Sequence, residues 1–543
     1  MSNYSTITHE GSSAPATAST TGDMTRPRRS RPHQKDGGAG GQASMFSSVA
    51  NLLNTILGAG TLAMPSALSH FGMLLGILVI LWGGFTSAFG LYLQSRCARY
   101  LERGSSSFFA LSQLTYPNAA VIFDAAIAIK CFGVGVSYMI IIGDLMPGVV
   151  EGFDSRTAAV SYLMDRNFWI TVFMLFIIPL SFLRRLDSLK YTSIIALIAI
   201  GYLIILVVWH FASDGLAPRD KIRVIEWGGP VEALASLPVV IFAYTCHQNM
   251  FSILNEIKNN TPKSILGVIS TSIGSAAGVY VLVSVTGYLT FGDDIHGNIV
   301  SMYPPSIAST IAKAAIVVLV TFSVPLQVHP CRASVEAVLK WRPNAVPRSS
   351  GRAHSPNNRV ILPTATRSDH GPAAPMSDLR FAILTTILLV LAYTTALTVT
   401  SLERVLAYVG STGSTAISFI LPGLFYYKIS DPDSIHHQRL TKEDDDALTP
   451  APSDDDGDSD DVENDVADGL LSASVPSLRS NTSGLSPRNR ASKALWRRRT
   501  RWRWDFEHVN PIHLRRASLA LAVYGFCIMG VCLTMNLVGT YAH

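Results

Sequence analysis

Two apolar segments of this sequence carry small and polar residues at their centres, where an uninterrupted membrane helix would place apolar ones. The first contains Leu57-Gly58-Ala59-Gly60, with Pro65 a little over a turn later, and the second contains Tyr244-Thr245-Cys246-His247 followed by Gln248-Asn249. An unsatisfied backbone N–H or C=O group costs several kcal/mol in hydrocarbon, so a broken helix persists there only where it lines a cavity or binds something. The two segments therefore predict a binding site at mid-membrane depth.

The freed backbone groups of two broken helices indicate which ligand this site would bind. N–H groups at a break suit an α-carboxylate, and C=O groups suit an ammonium, so a zwitterionic amino acid satisfies both. A Gly-x-Gly such as Gly58 to Gly60 is more typical of close helix packing when it stands alone. Its pairing with the second polar segment favours the binding site.

Two ionisable residues lie inside apolar segments and leave alternatives open. Lys130 is costly at that depth, so it either takes part in ion coupling or gating, or is a structural tether to a carbonyl or carboxylate of another helix. His247 either senses protons, because an unperturbed histidine titrates near pH ~6.5, or is a neutral histidine hydrogen-bonded to the first segment.

The sequence lacks the motifs of ATP-driven pumps, metalloenzymes and metal sites. The sequence contains no GxxxxGK[ST] loop, no HExxH motif and no metal-ligand spacing, and its six cysteines are scattered. We therefore expect no ATP-driven pump, no enzyme, no metal site and no cofactor other than a coupling ion.

The elements that carry these residues are membrane helices. The chain has 543 residues, of which 48% are hydrophobic and 15% charged, and its apolar residues form eleven blocks of roughly the ~20 residues that span a bilayer. We predict an all-α integral membrane protein. The spans are 45–68, 73–93, 121–150, 168–183, 191–211, 231–254, 265–289, 307–328, 381–400, 405–427 and 517–538.

The order and flanks of these spans predict a topology. The two interrupted segments open the first and second sets of five spans, which is the pattern of a 5+5 inverted repeat, with the eleventh span added at the C-terminus. If the N-terminus is cytosolic, 35 of the 43 Lys and Arg lie at the cytosolic face, five lie opposite and three lie in spans. This asymmetry predicts a cytosolic N-terminus and a luminal C-terminus.

Polar segments separate the membrane domains. We predict a disordered cytosolic tail over 1–44, spans one to ten over 45–428 with a polar loop at 341–376, a disordered cytosolic loop over 429–512, and the last span and short C-terminus over 513–543. The loop is acidic first and ends in an Arg- and Trp-rich cluster at 496–504. Arg and Trp beside a span suit lipid headgroups, so no nucleic acid is expected.

The sequence resembles the amino acid/auxin permease family, and within it the fungal vacuolar amino acid transporters related to animal sodium-coupled neutral amino acid transporters. Four motifs carry this resemblance over essentially the whole membrane part. They are Asn51-Leu52-Leu53-Asn54-Thr55-Ile56-Leu57-Gly58-Ala59-Gly60, Ile129-Lys130-Cys131-Phe132-Gly133 continuing to Pro147, Tyr244-Thr245-Cys246-His247-Gln248-Asn249 with Glu256, and Thr321-Phe322-Ser323-Val324-Pro325.

The resemblance implies a LeuT-like core, alternating access across the vacuolar membrane and a small-molecule amino acid substrate. The substrate-binding residues that it implies are Ile56, Leu57, Gly58, Ala59, Gly60, Thr61, Phe242, Ala243, Tyr244, Cys246 and His247. Sodium-coupled relatives bind a cation near positions matching Asn54, Thr321 and Ser323. The hydroxyls of Thr321 and Ser323 could instead form hydrogen bonds with the carbonyl one turn back.

The coupling ion and the role of the chain each have an alternative. Vacuolar relatives are typically proton-linked, so we expect the proton as the coupling ion, with sodium as the alternative. A membrane amino acid sensor that signals through its cytosolic tails is the alternative to a transporter, and measurable flux separates the two. The oligomeric state does not follow from the sequence.

Overall fold

The computed structural model describes residues 43–102, 104–154, 156, 159–183, 192–340, 377–446 and 511–541. The predicted N-terminal tail, the loop at 341–376 and most of the acidic and Arg- and Trp-rich loop lie outside the described residues. The described part is built of helices, with one isolated backbone bridge between Ala43 and Ile257. This agrees with the predicted all-α class.

Seventeen α-helices are named here in chain order. They are α1 Met45–Ile56, α2 Ala59–Phe71, α3 Met73–Cys97, α4 Phe108–Thr115, α5 Ala120–Phe153, α6 Arg166–Ser181, α7 Thr192–Asp214, α8 Pro230–Tyr244, α9 His247–Glu256, α10 Pro262–Phe291, α11 Ile299–Met302, α12 Ile307–Lys340, α13 Asp378–Thr398, α14 Leu402–Val409, α15 Leu421–Ile429, α16 Ile435–Asp446 and α17 Pro511–Tyr541.

Most of these helices have the length and composition of membrane spans. Within the described residues, nine helical stretches are long and apolar enough to cross a membrane, and the bent pair α1 and α2 makes ten if it counts as one span. The helix at the fourth predicted span, α6, is apolar but has only 16 residues. The chain is therefore a multi-pass membrane protein.

The first and sixth predicted spans are each interrupted where the sequence places small and polar residues. Leu57 and Gly58 separate α1 from α2, and the two helices meet at an angle of 55°. Thr245 and Cys246 separate α8 from α9. Two glycines and a nearby proline weaken the helix at the first break, and a run of polar side chains does so at the second.

Two long helices form the centre of the packing. The 34-residue helices α5 and α12 run along each other, and glycines of α5 allow the close approach. A Cβ atom at Gly152 would lie 1.9 Å from the Thr310 hydroxyl oxygen of α12. A Cβ atom at Gly133 would lie 2.0 Å from a methyl group of Val409 in α14. Small residues therefore set these helix contacts.

One helix lies where the sequence predicts a disordered loop. Residues 429–512 are predicted as linker because they are polar, yet Ile435–Asp446 forms α16. The His437 ring lies 3.0 Å from the Tyr100 hydroxyl, and Arg515 of α17 binds the Asp431 carboxylate at 2.7 Å just before the helix. These long-range contacts anchor a polar segment whose composition alone indicates disorder.

Candidate functional site

A cavity of about 1040 Å³ separates the two broken helices from α5, α7 and α12. Asn51, Ser252 and Glu256 line it and are exposed, whereas α2 beyond the break is buried. The cavity therefore opens at the face where α1 begins and α9 ends, which we call the cavity-mouth face. It is closed towards the opposite face.

Both breaks contribute to the wall of the cavity. The lining residues from the breaks are Ile56, Leu57, Gly58, Ala59, Gly60, Leu62, Phe242, Ala243 and Thr245. Tyr138 and Lys130 of α5 and Ser323 of α12 complete the wall around them. Apolar side chains with a few polar groups and exposed backbone are typical of sites for small molecules.

Tyr280 of α10 connects the two breaks, and the sequence analysis missed it. Its hydroxyl lies 2.7 Å from the Ile56 carbonyl oxygen and 2.8 Å from the Ala243 carbonyl oxygen. These carbonyls lie in the last turns of α1 and α8, where helix ends leave acceptors without an intrahelical partner. One fully buried hydroxyl therefore lies between the two broken helices, and it donates its single proton to one of the two carbonyls at a time.

Further hydrogen bonds hold the second break in place. The Asn249 side-chain amide donates to the Thr55 hydroxyl at 2.7 Å, which links α9 to α1. The Thr245 hydroxyl donates to the Ile241 carbonyl at 2.7 Å, and the Gln94 side-chain amide donates to the His247 carbonyl at 2.9 Å. Side chains thus connect the segment around the second break to α1 and α3 and to the end of α8.

Four residues predicted at the substrate site do not line the cavity. Thr61, Tyr244, Cys246 and His247 are fully buried beside it. A Cβ atom at Gly90 of α3 would lie 2.8 Å from His247 Nε2, so this imidazole faces α3. Helical periodicity at a break does not indicate which side chains turn towards the cavity, which explains the difference.

The predicted ion-coupling residues are only partly brought together. Asn54, Ser323 and Lys130 line the cavity, whereas Thr321 does not. The Thr321 and Ser323 hydroxyls donate to carbonyls one turn back, at 2.6 Å from Val317 O and 2.8 Å from Leu319 O. Among the residues that the structure describes, no group of three or more His, Cys, Asp or Glu is arranged to hold a metal ion.

Lys130 is the deepest charge on the cavity wall. It is 3% exposed, and it forms no hydrogen bond or ion pair with any residue that the structure describes. The other acidic or basic lining residue, Glu256, is exposed at the mouth. A buried ammonium group without a partner is costly, so a negatively charged group that enters the cavity would stabilise the charged form of Lys130.

Comparison with known proteins identifies the family. The family model described as transmembrane amino acid transporter protein matches residues 41–445. The chain belongs to this family. The transporter is 46% identical over 392 residues to vacuolar amino acid transporter 5 of Schizosaccharomyces pombe, covering 72% of the chain and 86% of that relative. It is 42% identical to vacuolar amino acid transporter 6 of Saccharomyces cerevisiae, covering 71% and 90%.

More distant similarities extend to animals and to solved structures. Sodium-coupled neutral amino acid transporter 7 of Danio rerio is 27% identical, covering 56% of the transporter and 66% of that relative. The inward-facing conformation of Mhp1 is 12% identical, with coverage of 72% and 77% and a TM-score of 0.47. The family assignment confirms the resemblance seen in the sequence and the prediction that the chain is not an enzyme.

Proposed function

We propose that this transporter moves amino acids across the vacuolar membrane by alternating access, with the proton as coupling ion. The observation that carries the proposal is the cavity lined by residues of both helix breaks, because the backbone groups of two broken helices suit both ends of a zwitterion. The yeast relatives that match over most of their length are named vacuolar amino acid transporters.

The proposal includes eleven spans in a 5+5 inverted repeat. The ten spans counted above and the short apolar helix α6 make eleven, since 16 residues cover roughly 24 Å and need few more to cross a bilayer. The breaks at Leu57 and Gly58 and at Thr245 and Cys246 then fall in the first span of each repeat. Alternating access would move these spans against α5 and α12.

We assign the coupling charge to Lys130. A lysine exchanges a proton when its surroundings change, whereas an arginine stays charged. Lys130 lies on the cavity wall within the protein and without a partner among the described residues, so its surroundings change whenever the cavity fills or closes.

The test is flux of labelled amino acids in liposomes that contain the purified transporter, with and without an imposed pH gradient. We expect saturable flux of a subset of amino acids that follows the pH gradient and does not require sodium. Lys130→Met should retain exchange of amino acids but lose the response to the gradient. Lys130→Arg should lose it too, because the guanidinium does not release its proton.

A second buried lysine provides the matched control. Lys313 of α12 donates to the Tyr303 carbonyl at 2.9 Å and does not line the cavity. Lys313→Met should therefore leave the gradient response unchanged. Binding without flux would contradict transport, sodium-dependent flux would contradict the proton, and a gradient response that survives in Lys130→Met would contradict the role of Lys130.

A further inference from the structure

A cluster of ionisable side chains joins three helices at the face opposite the cavity mouth. His70 of α2 lies with Nε2 3.2 Å from a Glu403 carboxylate oxygen of α14 and with Nδ1 3.6 Å from a Glu232 carboxylate oxygen of α8. The Ser66 and Ser236 hydroxyls donate to Glu403 at 2.9 and 3.3 Å. The outer parts of both broken spans are thus tied to α14.

The protonation state of an imidazole decides how many of these contacts it makes. A neutral imidazole has one N–H group and can donate to one carboxylate only, whereas an imidazolium has two N–H groups and can donate to both. Here each ring nitrogen of His70 faces a different carboxylate. The arrangement therefore fits the protonated ring better than the neutral one.

Another charged residue, Arg223, lies near the cluster. The loop that precedes α8 contributes Arg223, whose guanidinium donates to the Ser69 carbonyl at 3.0 Å and to the Asp293 carboxylate at 2.9 Å. Burial lowers the pKa of Arg223, but its hydrogen bonds with Asp293 outweigh this and raise it. Asp293 engages Nε and Nη2 of Arg223. The Nη1 atom of Arg223 and the Glu232 carboxylate both lie beside Gly228, so Arg223 is a second positive charge near Glu232. His70 is the bridge from Glu232 to Glu403.

We propose that His70, Glu232 and Glu403 form a proton-binding site that holds the face opposite the cavity mouth closed. Proton binding supplies the second N–H donor and a positive charge between two carboxylates. Proton loss removes the positive charge between the two carboxylates and one of the two N–H groups, so the contacts of α2 with α8 and α14 weaken and the three helices separate more easily. The side chains of His70 and Glu232 are 30% and 55% exposed, which gives protons access from that face.

This inference rests on the proposed function only for the source of the protons. In the predicted topology the cluster lies at the luminal face, so an acidic lumen would favour the closed form observed here, with the cavity open to the cytosol. The site regulates opening and is separate from Lys130, which lines the cavity. A conformational readout therefore tests it without any amino acid present.

The experiment measures how readily a thiol reagent reaches a buried position between the cluster of His70, Glu232 and Glu403 and the helix breaks. Thr61→Cys places a thiol at a fully buried site of α2, in a Cys527→Ser background because the other five cysteines are buried. A membrane-impermeant maleimide is applied to liposomes at the face of the cluster. Ser301→Cys, exposed on the same face, corrects for protein orientation and for the pH dependence of the thiol.

The expected result follows from the titration of histidine. An ordinary histidine titrates near pH ~6.5, and the two carboxylates that face His70 stabilise its charged form, so labelling of Thr61→Cys relative to Ser301→Cys should rise severalfold above about pH 6.5. His70→Gln, which does not titrate, should remove this rise. Glu232→Gln, at an exposed position that tolerates substitution, should shift it to lower pH because one counter-charge is lost.

Two results would overturn the proposal. One is labelling that does not change with pH in the protein that retains His70, and the other is a rise with pH that survives unchanged in His70→Gln. Failure of the proposed function would instead appear as absent or sodium-driven flux, with the labelling unaffected. The two proposals can therefore fail separately.

Discussion

At the residue scale, the hydroxyl of Tyr280 lies between two broken helices and can donate its one proton to a carbonyl of either. Tyr280→Phe would leave the Ile56 and Ala243 carbonyl oxygens without this donor in a fully buried place. Loss of a buried hydrogen bond with an unsatisfied partner costs about 1–3 kcal/mol. We expect a lower thermal unfolding midpoint of the purified protein and strongly reduced amino acid flux in liposomes.

A second tyrosine separates loss of this particular bond from loss of any tyrosine hydroxyl. Tyr202 of α7 donates to a single carbonyl, Ala308 O, at 3.0 Å and does not line the cavity. Tyr202→Phe should lower the unfolding midpoint less and leave flux nearly normal. Equal losses of flux in the two variants would show that the bridging position of Tyr280 has no special role.

At the scale of elements, the approach of the two breaks depends on Gly60. A Cβ atom there would lie 2.6 Å from Ala243 Cβ and 2.8 Å from Ala243 Cα, so the backbone of α2 or α8 would have to move. Overpacking of this kind typically costs about 1–3 kcal/mol. We expect Gly60→Ala to abolish flux while the protein still reaches the membrane, measured by uptake and by protein abundance in the same vesicles.

Two other glycines provide control variants for this prediction. A Cβ atom at Gly58 would meet only the Tyr138 hydroxyl at 3.6 Å, and one at Gly278 of α10 would meet nothing within 4 Å. Gly58→Ala should therefore reduce flux moderately by narrowing the cavity, and Gly278→Ala should leave it unchanged. A normal rate in Gly60→Ala would mean that the breaks do not need this close contact.

The sequence indicates the helices and their breaks because both depend on local composition. Runs of apolar residues define spans, and glycine, proline and polar residues within them define weak points such as Leu57-Gly58. The hydrogen-bond partners of residues near the breaks are distant in the sequence. Tyr280 is 224 residues from Ile56, and Glu403 is 337 residues from Ser66. One sequence without pairing information does not reveal such contacts, nor that His247 faces away from the cavity.

At the scale of the whole molecule, two features of the structure define its state. The cavity opens where Asn51, Ser252 and Glu256 are exposed, while the cluster of His70, Glu232 and Glu403 closes the opposite face. The predicted topology places most lysine and arginine residues at the cavity-mouth face, and the positive-inside rule then predicts that this face is cytosolic. In that topology, the state observed here is one in which the cavity opens to the cytosol.

This orientation predicts which positions react in intact vacuoles. In the Cys527→Ser background, Ser252→Cys at the cavity mouth should react with an impermeant maleimide added outside, whereas Ser301→Cys should react only after the membrane is permeabilised. A transported amino acid should slow labelling of Ser252→Cys, because it occupies the cavity or shifts the protein towards the opposite state. The reverse pattern, with Ser301→Cys labelled from outside, would invert the topology and place the proton-binding cluster in the cytosol.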